Sequence, residues 1–352
     1  MNTIITLIYF VLILGVIVLV HEFGHFFFSK LFGIHVYEFA IGMGPKIFKW
    51  KGKSETDYSI RAIPIGGFCS LAGEDTEYDD QEKVPKEKRL NAKPAWQRFF
   101  VMVMGAGNNF ILALLVLLIL GLGWGATTND AIVTELIKDN PAEKAGMLVG
   151  DKITKVNNHK IKASDDVALY LQMEDKTKPI TFTVIRDGKE IKIDVTPVKE
   201  KVEGQDIYRV GVVSAGKTEH GIIPSVKYAF NRVGVLFRQM VITLKGLFTG
   251  SLSVKQLSGP IGIYNVVGTT AKNGIASVLY LIALLSVNVG FINLLPFPAF
   301  DGGRVLFLVI EKIKGSPVKP EFENKVHTVG FVLLMLLMLY VTFNDVIRTF
   351  FR

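Results

Sequence analysis

The amino-acid sequence predicts a polytopic α-helical membrane protein with four transmembrane helices, a small membrane-associated β-sheet and one extracytoplasmic α+β domain. Composition is the first observation behind this prediction. Hydrophobic residues make up 49% of the 352 residues and charged residues only 20%, and the mean hydropathy is +0.36, as expected when apolar spans are joined to an ordinary soluble part. The second observation is that the apolar residues are concentrated in four runs, and the longest interval between them carries strand and turn patterns.

The four apolar runs are the predicted membrane spans, since a helix needs about 20 predominantly apolar residues to cross a bilayer. The first run has no charge over 17 residues and stays apolar through Phe32. A signal peptide is the alternative for this run, but no basic residue precedes it and no small-residue cleavage site follows it. The runs are Ile4–Val20, Phe99–Trp124, Ile275–Leu295 and Val329–Phe343.

The orientation follows from lysine and arginine, because cytoplasmic loops beside membrane spans carry an excess of both. Residues 30–98 contain twelve Lys and Arg, and residues 304–325 contain five. The sequence therefore predicts a plasma-membrane protein with the N-terminus and the loop 125–274 outside and the first and third loops in the cytoplasm. The same loops explain the net charge of +8. The basic residues are mixed with acids, so no nucleic-acid partner is expected.

The first cytoplasmic segment predicts a small antiparallel sheet directly after the first span. Three β-rich stretches, Val36–Ala40, Pro45–Lys51 and Thr56–Ile63, are separated by glycine-containing turns. A plain hairpin is one interpretation of this segment. The other is that the sheet edge near Gly42 and Gly44 binds an unwound peptide as an added strand. A charged, proline-containing stretch follows and predicts a linker.

The outer loop predicts a compact α+β domain. Its pattern is a strand, a short helix, a second strand, a helix with a Ser/Asp start and a hairpin around Asp187-Gly188. Residues 140–158, NPAEKAGMLVGDKITKVNN, resemble a bacterial PDZ domain, although Asn158 stands where that family usually has glycine. The later stretch Pro224–Phe248 is apolar but carries four basic residues, so it predicts an amphipathic helix at the membrane surface and not a span.

These segments divide the chain into eight predicted regions. The division places one soluble domain between the second and third spans. The regions are span 1 (1–33), the hairpin sheet with the charged linker (34–98), span 2 (99–124), the PDZ domain (125–200), a post-PDZ segment with the amphipathic helix (201–274), span 3 (275–300), a cytoplasmic loop (301–328) and span 4 with a short tail (329–352).

The pattern HExxH occurs inside the first span, as His21-Glu22-Phe23-Gly24-His25. Helical residues four apart lie on one face with Cβ atoms about 5–6 Å apart, so His21 and His25 can bind one zinc ion through bonds of about 2.0–2.1 Å. Glu22 is adjacent and can take a proton from water whose pKa zinc lowers to about 7. Ionisable groups inside a membrane are costly and usually functional, which favours a zinc site over a chance match.

A catalytic zinc site needs a third protein ligand and an open position. His35 lies outside the span and is the weaker candidate. Asp301 lies in NLLPFPAFDGGR, where the third span ends at the same depth as the first. Pro296 and Pro298 break the helix and let Asp301 turn back, while a turn acid before two glycines is the alternative for this residue. The single Cys69 excludes a cysteine zinc knuckle and an intrachain disulfide.

Three features together resemble the site-2 protease family, of the RseP/RasP type, over essentially the whole chain. They are HExxH in the first span, the PDZ-like pattern after the second and NxxPxPxxDG in the third. The resemblance implies a zinc ion, Zn²⁺, bound by His21, His25 and Asp301, with Glu22 as the general base. It also implies that Asn293 holds the substrate backbone; the alternative is a polar cap on an interrupted helix.

Two positions depart from the family pattern. Phe300 stands where leucine is common before Asp-Gly, and Ala106 stands where the second span usually has proline in Gly-Pro-x-x-Asn-Phe. Neither residue is an expected ligand, and Asn109 of the second motif is retained. We therefore expect the ligand set to be intact despite a different helix shape near Ala106.

The resemblance implies regulated intramembrane proteolysis, the cleavage within the lipid bilayer of single-span proteins such as anti-sigma factors or signal-peptide remnants after a prior site-1 cut. The PDZ domain would exclude bulky ectodomains or bind a newly exposed C-terminus; the sequence leaves this choice and the oligomeric state open. A non-enzymatic PDZ scaffold and a metal transporter are the rival interpretations. A scaffold needs no complete zinc set, and a transporter needs polar groups at several depths, where the second span offers only Asn108 and Asn109.

Overall fold

The computed structural model describes residues 3–52, 55–74, 84–202, 205–254 and 257–350. The predicted turn at Lys53 and residues 75–83 of the predicted linker lie outside these ranges. The helices are α1 Thr3–Leu31, α2 Ala95–Trp124, α3 Pro141–Lys144, α4 Ser164–Met173, α5 Ile222–Thr249, α6 Pro260–Lys272, α7 Ile275–Leu294, α8 Asp301–Lys314 and α9 Pro320–Phe350. The strands are β1 Val36–Lys51, β2 Asp57–Leu71, β3 Ala126–Thr127, β4 Ile132–Leu136, β5 Lys152–Val156, β6 His159–Lys160, β7 Ile180–Arg186, β8 Lys189–Val195, β9 Val198–Val202, β10 Gln205–Arg209, β11 Val212–Ala215 and β12 Thr218–Glu219.

Four of the described helices, α1, α2, α7 and α9, are long and apolar enough to cross a membrane, which confirms the four predicted spans. The region predicted as a cytoplasmic loop, 301–328, is instead largely helical: α8 occupies its first half, and α9 already begins at Pro320. Both helical segments carry charged faces and were therefore missed as apolar runs. Asp301 in the first turn of α8 and two lysines in its last turn suit the helix dipole, and Gly315 ends the helix in a left-handed conformation.

The chain forms two compact units, of which the first combines residues 1–116 with residues 260–340. In this unit α1 packs against α6 and α7 through a buried apolar cluster. A second buried cluster joins the base of the hairpin sheet to α2 and so fixes the sheet at the C-terminal end of α1. The first cluster contains Phe10, Ile13, Ile17, Val267, Val278 and Leu281, and the second contains Ile34, Val36, Leu71, Leu90, Val101 and Met102.

The hairpin sheet is built from β1 and β2, which pair antiparallel. The first two predicted strands are the two halves of β1, and the predicted third strand is the start of β2, which runs eight residues further. Gly42 and Gly44 have φ values of 86° and 82° and bend β1 between its halves. Phe39 pairs with both Tyr58 and Cys69, so the first half of β1 lies between the two halves of β2.

The second unit combines residues 117–259 with residues 341–352. Its main sheet has six strands in the order β11-β4-β5-β7-β8, with β6 beside β5. The buried core between this sheet and the helices includes Val133, Met147, Ile153, Phe182 and Val184. The sheet extends beyond residue 200, where the sequence predicts the end of the soluble domain, because β11 pairs with β4.

The amphipathic helix predicted after the soluble domain is α5. One face of α5 carries arginines that pair with acids at the start of α4: Arg232 with Asp165, and Arg238 with Asp166 at 2.6 Å. Asp166 is 1% exposed, so these pairs hold α5 against the soluble domain. The opposite face exposes apolar side chains, among them Phe230 at 64%. Such a face suits an aqueous boundary with lipid.

The soluble domain contains a buried ion pair whose loss we expect to loosen the sheet. Asp151 is 1% exposed, and the Arg186 Nε atom donates to its Oδ1 atom at 2.7 Å. Asp151→Asn removes the charge that compensates Arg186, so hydrogen exchange at the β5 and β7 amides of the full chain should accelerate by about tenfold or more at pH 7. The exposed Glu190→Gln change on β8 is the control and should leave exchange unchanged.

This effect should also depend on pH. Burial alone raises the pKa of Asp151, but the hydrogen bonds from Arg186 and from the Leu148 amide hold it below its ordinary value. The stabilisation is therefore present above the unfolded pKa of about 3.9 and is lost as the pH falls through the lower folded value. Equal exchange in wild type and variant at pH 7 would contradict the prediction.

Candidate metal centre

The two histidines of HExxH lie one helical turn apart on α1 and converge. Their Nε2 atoms are 3.3 Å apart, and their rings meet edge to face with centroids 5.0 Å apart. His21 is 8% exposed although it lies within an otherwise apolar helix. The regular four-residue spacing of the helix produces this convergence directly.

Asp301 completes a group of three possible metal ligands with His21 and His25. Its Oδ2 atom lies 3.2 Å from His21 Nε2 and 3.3 Å from His25 Nε2. The residue is the first of α8 and follows the proline-containing loop after α7. His35, the other candidate, lies in the base of the hairpin sheet, with its ring against Tyr37 at 4.9 Å, and it is not part of this group.

The three ligand atoms have the spacing that a zinc ion requires. Tetrahedral ligands at the usual bond lengths of about 2.0–2.1 Å are roughly 3.3 Å from one another, and the three observed separations are 3.2, 3.3 and 3.3 Å. Asp301 Oδ2 is buried and has no hydrogen-bond partner among the described residues. These residues fit zinc and leave one tetrahedral position for water or substrate.

The Nδ1 atom of each histidine ring, the nitrogen that faces away from the ligand group, contacts a residue of α2. His25 Nδ1 lies 2.8 Å from the Val101 carbonyl oxygen and donates to it, which leaves the Nε2 lone pair free. His21 Nδ1 lies 3.3 Å from the amide of Asn109, a residue with 0% exposure. The Asn109 Oδ1 atom has no partner among the described residues. Rotating the amide lets this oxygen accept the Nδ1 hydrogen, so Asn109 orients His21.

Two glycines allow α1 and α2 to approach closely enough for these contacts. A Cβ atom on Gly24 would lie 2.1 Å from the Met104 carbonyl oxygen. A Cβ atom on Gly105 would lie 2.2 Å from His25 Nε2 itself. The backbones therefore meet where the sequence has glycine on both helices, as in other tightly packed membrane helices.

Glu22 faces the second half of β2. A Cβ atom on Gly67 would lie 3.6 Å from Glu22 Cγ, and the backbone N–H of Cys69 donates to the Glu22 carboxylate. The sheet thus holds the carboxylate beside the histidine pair on the same helix.

The remaining predicted site residues have contacts with other parts of the chain. The Asn293 amide donates to the Val289 carbonyl of its own helix at 3.0 Å, near the end of α7. Gly42 and Gly44 form the bend of β1, where a Cβ atom on Gly42 would lie 2.5 Å from the Ile63 carbonyl oxygen. They shape the sheet at its bend.

Sequence reasoning missed Asn109 as a partner of His21. The sequence identifies Asn109 only as a retained residue of the family motif and as a polar residue of the second span. The available signal was a pair of amides, Asn108 and Asn109, inside a span without charged residues. Asn108 donates to the Val20 carbonyl at 3.3 Å and so joins the same two helices.

Comparison with known proteins relates the whole chain to metalloproteases. The profile of Peptidase family M50 matches residues 9–337. The chain is 33% identical to the zinc metalloprotease RasP of Bacillus licheniformis, over 99% of this chain and 100% of the relative. It is 34% identical to the regulator of sigma-W protease RasP of Bacillus subtilis, over 98% of this chain and 99% of the relative. The PDZ domain of an SdrC-like protein from Listeria monocytogenes matches 25% of this chain and 90% of that structure at 18% identity, with a TM-score of 0.22 that is too low to bear on the fold.

The close approach at Gly105 generates a prediction for zinc binding. Gly105→Ala places a methyl group against His25 Nε2 and should weaken zinc binding by at least about tenfold, because ligand geometry tolerates little displacement. Zinc content and zinc affinity of the purified full chain measure this effect. Gly123→Ala on the same helix meets nothing within 4 Å and is the control. Normal zinc affinity in the Gly105 variant would show that α1 and α2 are farther apart.

The Asn109 contact generates a second prediction. Asn109→Leu removes the acceptor for His21 Nδ1 at nearly constant volume, and loss of such a partner typically costs about 10–100-fold in metal affinity. Asn108→Leu is the matched control, because Asn108 contacts a backbone carbonyl and no ligand ring. Competition with a zinc chelator measures both affinities. Equal affinities for the two variants would rule out the role of Asn109.

Proposed function

The chain belongs to peptidase family M50 and is a zinc metalloprotease of the site-2 type, and we propose that it cleaves other membrane proteins within the bilayer. The observation that carries this proposal is the group of His21, His25 and Asp301 at ligand spacing beside Glu22, on a helix apolar enough to cross a membrane. In this proposal the three grouped residues bind zinc and Glu22 is the general base.

The residues of the chain supply the acid–base chemistry around the metal. Bound zinc lowers the pKa of water and polarises a carbonyl group. Glu22 takes a proton from the attacking water on its carboxylate and returns it to the amide nitrogen that leaves. The Cys69 backbone N–H fixes the carboxylate for this transfer. Val101 and Asn109 keep hydrogens on the outer histidine nitrogens, so both Nε2 atoms stay available as ligands.

The position of the site points to substrates inside the membrane. Phe23 within the motif and Phe27 just after it are 47% and 49% exposed, which suits contact with lipid. A membrane-spanning substrate is helical, and its own hydrogen bonds shield its peptide groups. It must unwind before attack, and the sheet bent at Gly42 and Gly44 next to α1 provides strands with which an unwound segment can pair. Asn293, near the end of α7, is proposed to hold the substrate backbone.

We propose the same topology as the charge distribution predicts for this multi-pass membrane protein. The N-terminus and the soluble domain lie outside the cell, and the metal centre lies toward the cytoplasmic side. The soluble domain, as a PDZ domain, excludes bulky ectodomains or binds a new C-terminus, which would restrict cleavage to proteins already cut once. The name of the Bacillus subtilis relative, regulator of sigma-W protease RasP, supports single-span anti-sigma factors as the substrate class. Signal-peptide remnants are a second proposed class, because they are also single membrane-spanning segments.

The two rival functions receive less support. Relatives that match the chain over nearly its full length are named proteases, which disfavours a non-enzymatic scaffold. A transporter would need polar groups along a path across the membrane, whereas the described ionisable ligands form one compact group.

A substitution of the general base tests the proposed mechanism. Glu22→Gln keeps the shape of the side chain but cannot take a proton, so cleavage of a single-span reporter in proteoliposomes should fall by about 10²–10⁴-fold. Zinc content should not change, since Glu22 is not a proposed ligand. Glu135→Gln, an exposed change on β4, is the control. Continued cleavage by a zinc-loaded Glu22→Gln protein would refute this mechanism.

A further inference from the structure

The loop before Asp301 contains a residue in an unfavourable backbone conformation, which contacts with the surrounding structure must stabilise. Ala299, two residues before Asp301, has φ of 86°, in the left-handed region that residues with a Cβ atom rarely adopt. Such a residue persists only when the surrounding structure fixes it. Gly302 and Gly303 pack closely on the start of this loop, since a Cβ atom on Gly303 would lie 2.5 Å from the Phe297 carbonyl oxygen.

α9 supplies a hydrogen bond to Ala299 itself. The backbone N–H of Ala299 donates to His327 Nδ1 at 3.1 Å, across 28 residues of sequence. Close by on the same helix, a Cβ atom on Gly330 would lie 2.5 Å from Pro298 Cβ. The loop therefore packs directly on α9, and the backbone N–H of Ala299 donates a hydrogen bond to a side chain of that helix.

His327 also contacts the helix that begins with Asp301. Its ring lies 5.6 Å from the ring of Phe307, at an interplanar angle of 42°. Phe307 belongs to α8 and is 8% exposed. One imidazole thus contacts both the loop before Asp301 and the helix after it.

We propose that His327 is a positioning residue for the metal centre, which holds the Asp301 loop so that the carboxylate reaches His21 and His25. This inference rests on the proposed role of Asp301 as a ligand. His327 acts in this proposal through its Nδ1 atom, which accepts the hydrogen bond from the Ala299 N–H. An asparagine side chain places its oxygen near that position, whereas glutamine places its oxygen farther along, and phenylalanine keeps only the ring contact with Phe307.

The test compares these three variants of the full chain by zinc affinity, measured by chelator competition, and by thermal unfolding. His327→Asn should bind zinc within about threefold of wild type. His327→Gln and His327→Phe should bind about 10–100-fold more weakly, the usual effect of losing a residue that orients a ligand. Thr328→Ala is the control, because Thr328 is exposed and bonds only within α9, to the Asn324 carbonyl.

Three outcomes would overturn the inference. Unchanged zinc affinity in His327→Phe would do so, and so would equal weakening in all three variants in step with their unfolding temperatures, which would indicate packing alone. If His327→Phe does not fold, the comparison of His327→Asn with His327→Gln tests the proposal. Equal zinc affinities for these two variants would count against it. Asp301→Ala separates the two proposals: weak zinc binding there with normal binding in His327→Phe refutes only the role of His327, whereas normal binding in Asp301→Ala refutes the ligand set itself.

Discussion

The structure depends on the meeting of three ionisable side chains within 3.3 Å of one another in an apolar helix bundle. Two imidazoles and a carboxylate without a partner would be expensive there, because burial removes the hydration of a charge and of a polar lone pair. A bound zinc ion offsets this cost, since each of the three atoms then has a bond in place of water. The fold must therefore deliver three groups from two distant parts of the sequence to a single point.

The bundle achieves this by close backbone approach and not by large side chains. Gly24 and Gly105 remove the Cβ atoms that would separate α1 from α2. As a result Val101 and Asn109 of α2 reach the outer nitrogens of both histidines. The partner helix thus fixes the rotation of each ring, while α1 fixes its position. This division explains why amides occur in a span that otherwise has no need of polar groups.

The sequence was sufficient for the parts of the fold that depend on local periodicity. The spacing of HExxH predicted the histidine pair. The shared direction of the first and third spans predicted that Asp301 lies at the same depth as the histidines. The partnership of Asn109 with His21 could not be predicted, because it depends on the rotation of α2 about its axis. The completion of the soluble sheet by β11 was missed for a similar reason, since that pairing joins residues about 80 positions apart. The early start of α9 was missed because its first turns are charged.

The proposed third ligand connects α9 to the proposed metal centre. Two ligands stand on one continuous helix and cannot move separately, whereas Asp301 follows a loop whose strained residue, Ala299, is bonded to α9. Among the four candidate spans α9 is the least covered by protein, with 11% of its apolar window buried compared with 22% to 39% for the others. Contacts within the protein therefore constrain this helix less than the other three. Because Ala299 donates to a side chain of α9, a tilt of α9 would act on the loop that carries Asp301, as expected when a helix adjusts to bilayer thickness. In the proposed site Asp301 is thus the ligand whose position depends on α9, whereas the two histidines share one helix.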